Sequence, residues 1–135
     1  MNILDFTSQQ IEIKDFSEKE DFFKDFLHEY VRLCNISDEF IKNGIEDELK
    51  KTRKKNLDIT IQKIRYILQR SEEKILNFFG NIEIPPVILF TGPFAWDGHG
   101  ILVKEKPYIF LNITMMEHHF NLPGFIPDVH AIHEI

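Results

Sequence analysis

The chain has little of several residue types that reveal a protein's setting. Cys34 is the only cysteine among 135 residues, so the chain cannot form an internal disulfide, and a cytoplasmic location is expected. No apolar run approaches the ~20 residues needed to span a bilayer. The first residues, Met1 to Phe6, lack the basic region and apolar stretch of a secretory signal. We therefore expect no membrane partner.

Positive charge is also scarce. The chain has 16 Lys and Arg residues against 22 Asp and Glu, a net charge of −6. Binding of nucleic acid needs a concentrated cationic surface. The one basic cluster, residues 50–55, follows acidic residues 46–48, so we interpret it as a solvated helix face or connector. Nucleic acid is not an expected partner.

Large apolar side chains, by contrast, are abundant. Hydrophobic residues make up 43% of the chain, and 13 residues are phenylalanine. This length and composition predict one globular domain, or part of one, over residues 1–135. The phenylalanines predict a core or an interface that must be covered.

The first half of the chain, residues 17–80, has the periodicity of helices. Ser17 and Glu20 form a capping box, and the apolar residues after them recur at helical spacing. A second stripe begins at Phe40, and a third, which starts at Leu57, predicts a long helix ending before Gly80. It is either continuous with the helix before it or separated from it near Asn56.

The second half changes to a strand pattern over residues 82–113. Three short β-rich runs, at 87–90, 101–103 and 108–113, are separated by turn residues. They predict a small, mostly antiparallel sheet with hairpin connections, packed on the long helix. The fold class expected is therefore α+β.

The last segment, residues 127–135, predicts the start of a helix, because Pro127 suits a first turn and Asp128 can cap. It carries the pair His133-Glu134, and a histidine two positions beyond Ile135 would complete the pattern HExxH. Two histidines one turn apart hold one zinc ion, and the glutamate between them polarises the bound water.

An earlier His-Glu pair serves as a control for this interpretation. In His28-Glu29 the second ligand position is occupied by Arg32, and the segment is amphipathic. We interpret this pair as an ordinary surface pair.

Helices, then a small sheet whose last strand immediately precedes a helix with His-Glu, resemble the upstream subdomain of zincin-type metallopeptidases. The closest resemblance is to compact, poorly characterised bacterial zinc-dependent peptidases with a long helical N-terminal region. In architecture it covers roughly residues 57–135, and in motif it covers His133 and Glu134. In zincins a helix packs behind the sheet, an edge strand aligns the substrate, and the metal-binding helix runs beneath the cleft.

The resemblance implies that His133 is the first zinc ligand and that Glu134 is the general base acting on zinc-bound water. A catalytic zinc takes three protein ligands, and the other two are not in this chain. We therefore expect the chain to be inactive, with weak or absent zinc binding. The intact parent is expected to hydrolyse peptide bonds of a peptide or protein substrate.

Substrate binding is expected at a strand edge, because an extended peptide can add to an exposed sheet edge through main-chain hydrogen bonds. A hairpin around residues 101–103, or the loop 93–100, could supply that edge. Trp96 and His99 lie on this loop. They form either a lip over the cleft or a hairpin loop whose tryptophan packs back onto the sheet.

Two alternatives remain open. His130 and His133, with His118 or His119, could form a metal site without a peptidase motif, since residues three apart on a helix are neighbours. From a different class of function, the chain could be a non-catalytic helical interaction module, or a homo-oligomer, that binds through an exposed phenylalanine-rich surface.

Overall fold

The computed structural model describes residues 1–7, 21–35, 37, 39, 43–44, 47, 57–92 and 97–127. These residues contain four strands and three helices, which confirms the predicted α+β class. The strands are β1 (Ile3–Asp5), β2 (Val87–Phe90), β3 (Gly98–Val103) and β4 (Lys106–Asn112), and the helices are α1 (Asp21–Cys34), α2 (Leu57–Phe79) and α3 (Ile113–Phe120). The predicted capping box, the basic run 50–55 and residues 128–135 lie outside the described residues.

The sheet has the strand order β1-β2-β4-β3. Strand β2 pairs in parallel with both β1 and β4, and only β3 and β4 pair antiparallel. The prediction of a mostly antiparallel sheet is therefore wrong. Among the described strands, only β3 and β4 are joined by a hairpin, and β4 lies between β3 and β2 in the sheet. Strand β1 was not predicted at all.

Each face of the sheet has its own core, so the described structure forms three layers with the sheet in the middle. Strand alternation divides β2 between them, since Ile88 and Phe90 point toward α1 while Val87 and Leu89 point toward α2. The α1 core contains Phe6, Phe23, Phe26, Tyr30, Ile88, Phe90, Ile101, Val103 and Phe110. The α2 core contains Leu57, Ile61, Ile64, Leu68, Val87, Leu89, Ile109, Leu111, Ile113 and Met116.

Aromatic rings in edge-to-face contact dominate the α1 core. Tyr30 lies 4.8 Å from Phe90 and 5.2 Å from Phe110 between ring centroids, and Phe26 lies 5.0 Å from Phe90. Such pairs contribute about 0.5–1.5 kcal/mol each beyond burial of their area. Much of the phenylalanine content is therefore used to fix α1 to the sheet.

Helix α2 confirms the predicted long helix. Its buried residues, from Leu57 through Ser71 to Ile75, form one stripe against the sheet. Phe78 continues this stripe but is 82% exposed, and Phe79 beside it is 64% exposed. Among the described helices, none is both long enough and apolar enough to cross a membrane.

The β3–β4 hairpin closes through a two-residue turn, Lys104 and Glu105. Both residues have positive φ, 48° and 65°, as a type I′ turn requires. This conformation favours glycine or asparagine, because a Cβ atom crowds the backbone there. An ion pair of 2.6 Å between Lys104 Nζ and Asp25 Oδ2 also ties the turn to α1.

We predict that Glu105→Gly stabilises the protein. The substitution removes the steric penalty of a left-handed residue, partly offset by the greater freedom of glycine in the unfolded chain. The expected gain in the free energy of unfolding is roughly 0.5–1 kcal/mol, measured by urea titration. Lys106→Gly, one residue later in β4, is the control and should lower stability by a similar amount. Equal losses in both variants would contradict the turn assignment.

Candidate functional site

Strand β3 forms one edge of the described sheet, and the hydrogen bonds of the hairpin decide which of its groups point outward. The N–H of Asn112 donates to the carbonyl of Asp97 at 2.7 Å. Because antiparallel pairs alternate between bonded and non-bonded, His99, Ile101 and Val103 bond to β4 in this register. The N–H and C=O groups of Gly98, Gly100 and Leu102 therefore point away from the sheet.

One of these outward groups is already occupied. The N–H of Gly98 donates to Oδ1 of Asp97 at 2.9 Å. Gly100 and Leu102 follow it along the edge, and both are exposed. The part of β3 that can accept a further strand is thus centred on Gly100 and Leu102.

The same residues form an open face of the strand. Gly100 pairs with Ile109, and Gly98 pairs with Leu111. Ile109 and Leu111 both belong to the α2 core. Paired residues point to the same face and side chains alternate along a strand, so Gly98, Gly100 and Leu102 lie on the α2 face. A Cβ atom built on Gly100 has no heavy atom within 4 Å, and Leu102 is 57% exposed. We call this surface the glycine shelf, formed by Gly100 and Leu102 beside the buried Gly98.

The prediction that His99 lies on a loop, as part of a lip over the cleft with Trp96, is corrected for His99. The loop expected at 93–100 is shorter, because β3 begins at Gly98, so His99 is a strand residue opposite Phe110. His99 is exposed on the α1 face, which is the opposite face from the glycine shelf. Trp96 lies outside the described residues.

A buried side-chain amide, that of Asn112, fixes the start of β3. Its Oδ1 accepts from the N–H groups of Gly92 at 3.2 Å and Thr114 at 3.3 Å, and its Nδ2 donates to the carbonyl of Gly92 at 3.3 Å. Asn112 is 0% exposed and is the N-cap of α3. The segment after β2, the start of β3 and the start of α3 all meet at this residue.

Gly92 fits this junction because it has no side chain. A Cβ atom there would lie 2.7 Å from the ring of Phe90, so the ring would have to move. Without a side chain at Gly92, the amide of Asn112 can bond to both the N–H and the C=O of Gly92, as a neighbouring strand would. The sequence Asn112-Ile113-Thr114 carried a usable signal, since asparagine after a strand is a frequent N-cap.

We predict that Asn112→Ala destabilises the protein by about 3 kcal/mol. It leaves the buried N–H and C=O of Gly92 without partners and removes a helix cap. Urea unfolding followed by circular dichroism measures the loss. Asn121→Ala is a matched control, because Asn121 is exposed and its Nδ2 donates only to the exposed end of α3, at the Glu117 carbonyl. A loss for Asn112→Ala no larger than that of the control would contradict the role of the junction.

The adjacent histidines lie on α3, which separates the last strand from residues 128–135. The prediction that the last strand immediately precedes the His-Glu helix is therefore wrong. His119 is half-buried, with its Nδ1 3.3 Å from Oδ2 of Asp97 and its ring 5.3 Å from that of Phe125. His118 is exposed beside it. Asp97 thus contacts both the edge of β3 and the helix α3.

The described residues contain no group of three His, Cys, Asp or Glu side chains placed to hold a metal ion. His118 and His119 are adjacent on α3, but His130, His133 and Glu134 lie outside the described residues. The alternative metal site therefore stays a prediction.

Two other chemical candidates are ordinary surface or core groups. His28 is exposed, and Glu29 accepts a hydrogen bond of 2.8 Å from Nε of Arg32. This bond holds the pKa of Glu29 below its usual value. Burial raises the pKa of the Cys34 thiol, against the opposing effect of a hydrogen bond with Tyr30, so the thiol is a poor nucleophile.

Comparison of the chain with models of protein families, with curated proteins and with solved structures finds no match.

Proposed function

We propose that this chain is the N-terminal part of a zinc-dependent peptidase and that β3 aligns an extended peptide for hydrolysis. The observation that supports this best is the position of β3. Among the described strands it is the one that runs antiparallel to the other three, and it lies at one edge of the sheet with Gly100 and Leu102 exposed. The chain continues from β4 through α3 toward His133 and Glu134.

The edge suits an extended peptide for a geometric reason. The outward N–H and C=O groups of Gly100 and Leu102 are two residues apart, which is the repeat at which a strand presents groups to one neighbour. A peptide in extended conformation has the same repeat and can add to the edge through main-chain hydrogen bonds. Recognition of this kind depends on peptide conformation more than on sequence.

The chemical step is assigned to the last segment by the resemblance to zincins. In this proposal His133 would hold a zinc ion together with ligands from outside the described residues, which supply no metal site. Zinc supplies a water of lowered pKa. Glu134 would act as the general base and proton shuttle: it would take a proton from that water as the water attacks the peptide carbonyl, and pass it to the amine that leaves when the C–N bond breaks.

We predict that Glu134→Gln abolishes hydrolysis by the intact parent without removing its zinc. Glutamine keeps the size of the side chain but cannot accept a proton, so kcat should fall by at least ~100-fold, the usual contribution of a general base. The measurements are peptide cleavage and zinc content by atomic absorption. Glu73→Gln, on the exposed face of α2, is the control and should leave both unchanged. Full activity of Glu134→Gln would refute the proposed role.

We also predict that Gly100→Pro weakens peptide binding while Gly100→Ala does not. Proline removes the outward N–H of Gly100, and proline is tolerated at such positions of edge strands. Alanine keeps the N–H, and its Cβ meets nothing within 4 Å. Loss of one hydrogen bond should weaken binding about tenfold. Fluorescence anisotropy of a labelled β-prone heptapeptide with the full chain measures the affinity, and equal affinities for both variants would exclude this edge as the binding site.

A further inference from the structure

The glycine shelf has room for a side chain that the strand itself does not provide. Gly100 lies between Gly98 and Leu102 on the α2 face, and no heavy atom lies within 4 Å of the place its Cβ would occupy. The backbone groups of Gly100 point outward along the sheet edge. The same residue therefore offers hydrogen bonds to a neighbouring strand and free space beside them.

We infer that β3 selects peptides with a large apolar side chain, above all an aromatic one, at the position that pairs with Gly100. This inference rests on the proposed peptide-binding edge and adds a specificity to it. Gly100 and Leu102 are the specificity-determining residues.

The register decides on which face the selected side chain lies. Residues paired across neighbouring strands point to the same face. Gly100 is on the α2 face with Ile109, so the peptide residue beside it also points to that face. A large side chain there can lie over the bare backbone of Gly100, as aromatic residues do beside glycines at sheet edges.

Leu102 determines that this side chain should be apolar. Leu102 is the next residue on the same face and is 57% exposed. An aromatic ring over Gly100 would cover part of Leu102 and remove apolar surface of both groups from water. At the usual free energy per unit of buried area, this favours phenylalanine over alanine by roughly tenfold in affinity.

The opposite face of the strand should not show this preference. There the residues are His99, Ile101 and Val103, none of which is a glycine, and Ile101 and Val103 are buried in the α1 core. His99 is exposed and lies one residue before Gly100. His99→Val therefore provides a matched control, because it changes a side chain next to the shelf but on the other face.

The test uses the full chain and a set of fluorescent heptapeptides of threonine and valine, with a single phenylalanine or alanine moved through the sequence. Anisotropy gives the dissociation constants. The wild-type chain and His99→Val should bind one phenylalanine position about tenfold more tightly than its alanine counterpart. Gly100→Val, which fills the shelf with a residue that strands favour, and Leu102→Ser should lose this difference. Thermal melting checks that all variants are folded.

The possible outcomes separate this inference from the proposed function. Equal binding of the phenylalanine and alanine peptides, or an unchanged preference in folded Gly100→Val, overturns the inference. Either result is compatible with hydrolysis by the parent that depends on Glu134. Conversely, loss of the preference for the phenylalanine peptide in Gly100→Val supports the inference. If Glu134→Gln nevertheless leaves hydrolysis by the parent intact, only the peptidase proposal fails. Absence of binding to any peptide overturns the inference.

Discussion

The side-chain amide of Asn112 is the interaction on which the arrangement of the candidate site depends. It bonds to both backbone groups of Gly92 and caps α3, while its own N–H donates to the carbonyl of Asp97. A buried amide with several partners is stable only when all of them are in place, because each unsatisfied group costs free energy. The ends of β2 and β4 and the start of β3 are therefore held in one relative position.

Burial on both faces explains why β2 and β4 are central and β3 is at the edge. Every residue of β2 is buried, and so are the last four of β4. Strands buried on both faces need a layer on each side, which α1 and α2 provide. Strand β3 contributes Ile101 and Val103 to the α1 core but presents glycines and Leu102 on the other face. A central position, covered on both faces, would therefore bury less apolar surface of β3 than of β2 or β4.

An exposed edge strand is a risk to most proteins, because it can pair with other chains. Here the Asp97 carboxylate occupies the outward N–H of Gly98, which shortens the available edge. What remains is a short stretch at Gly100 and Leu102. A limited edge of this kind is compatible with weak, reversible binding of a peptide, which is what the proposed function requires.

From the sequence alone, α1, α2 and approximately β2 to β4 could be predicted, because each depends on local periodicity, whereas β1 and α3 were not predicted. The stripe from Leu57, the run Val87–Phe90 and the turn near Lys104 all occur where their patterns indicate. The motif residues His133 and Glu134 also came from the sequence, and their placement remains a prediction. Local patterns do not specify which strands become neighbours, so the parallel pairing of β2 with β1 and β4 was missed. The tertiary structure alone decided that β3 is an edge strand, that His99 faces away from Gly100, and that Asn112 joins three segments, because each of these depends on contacts between residues distant in the chain.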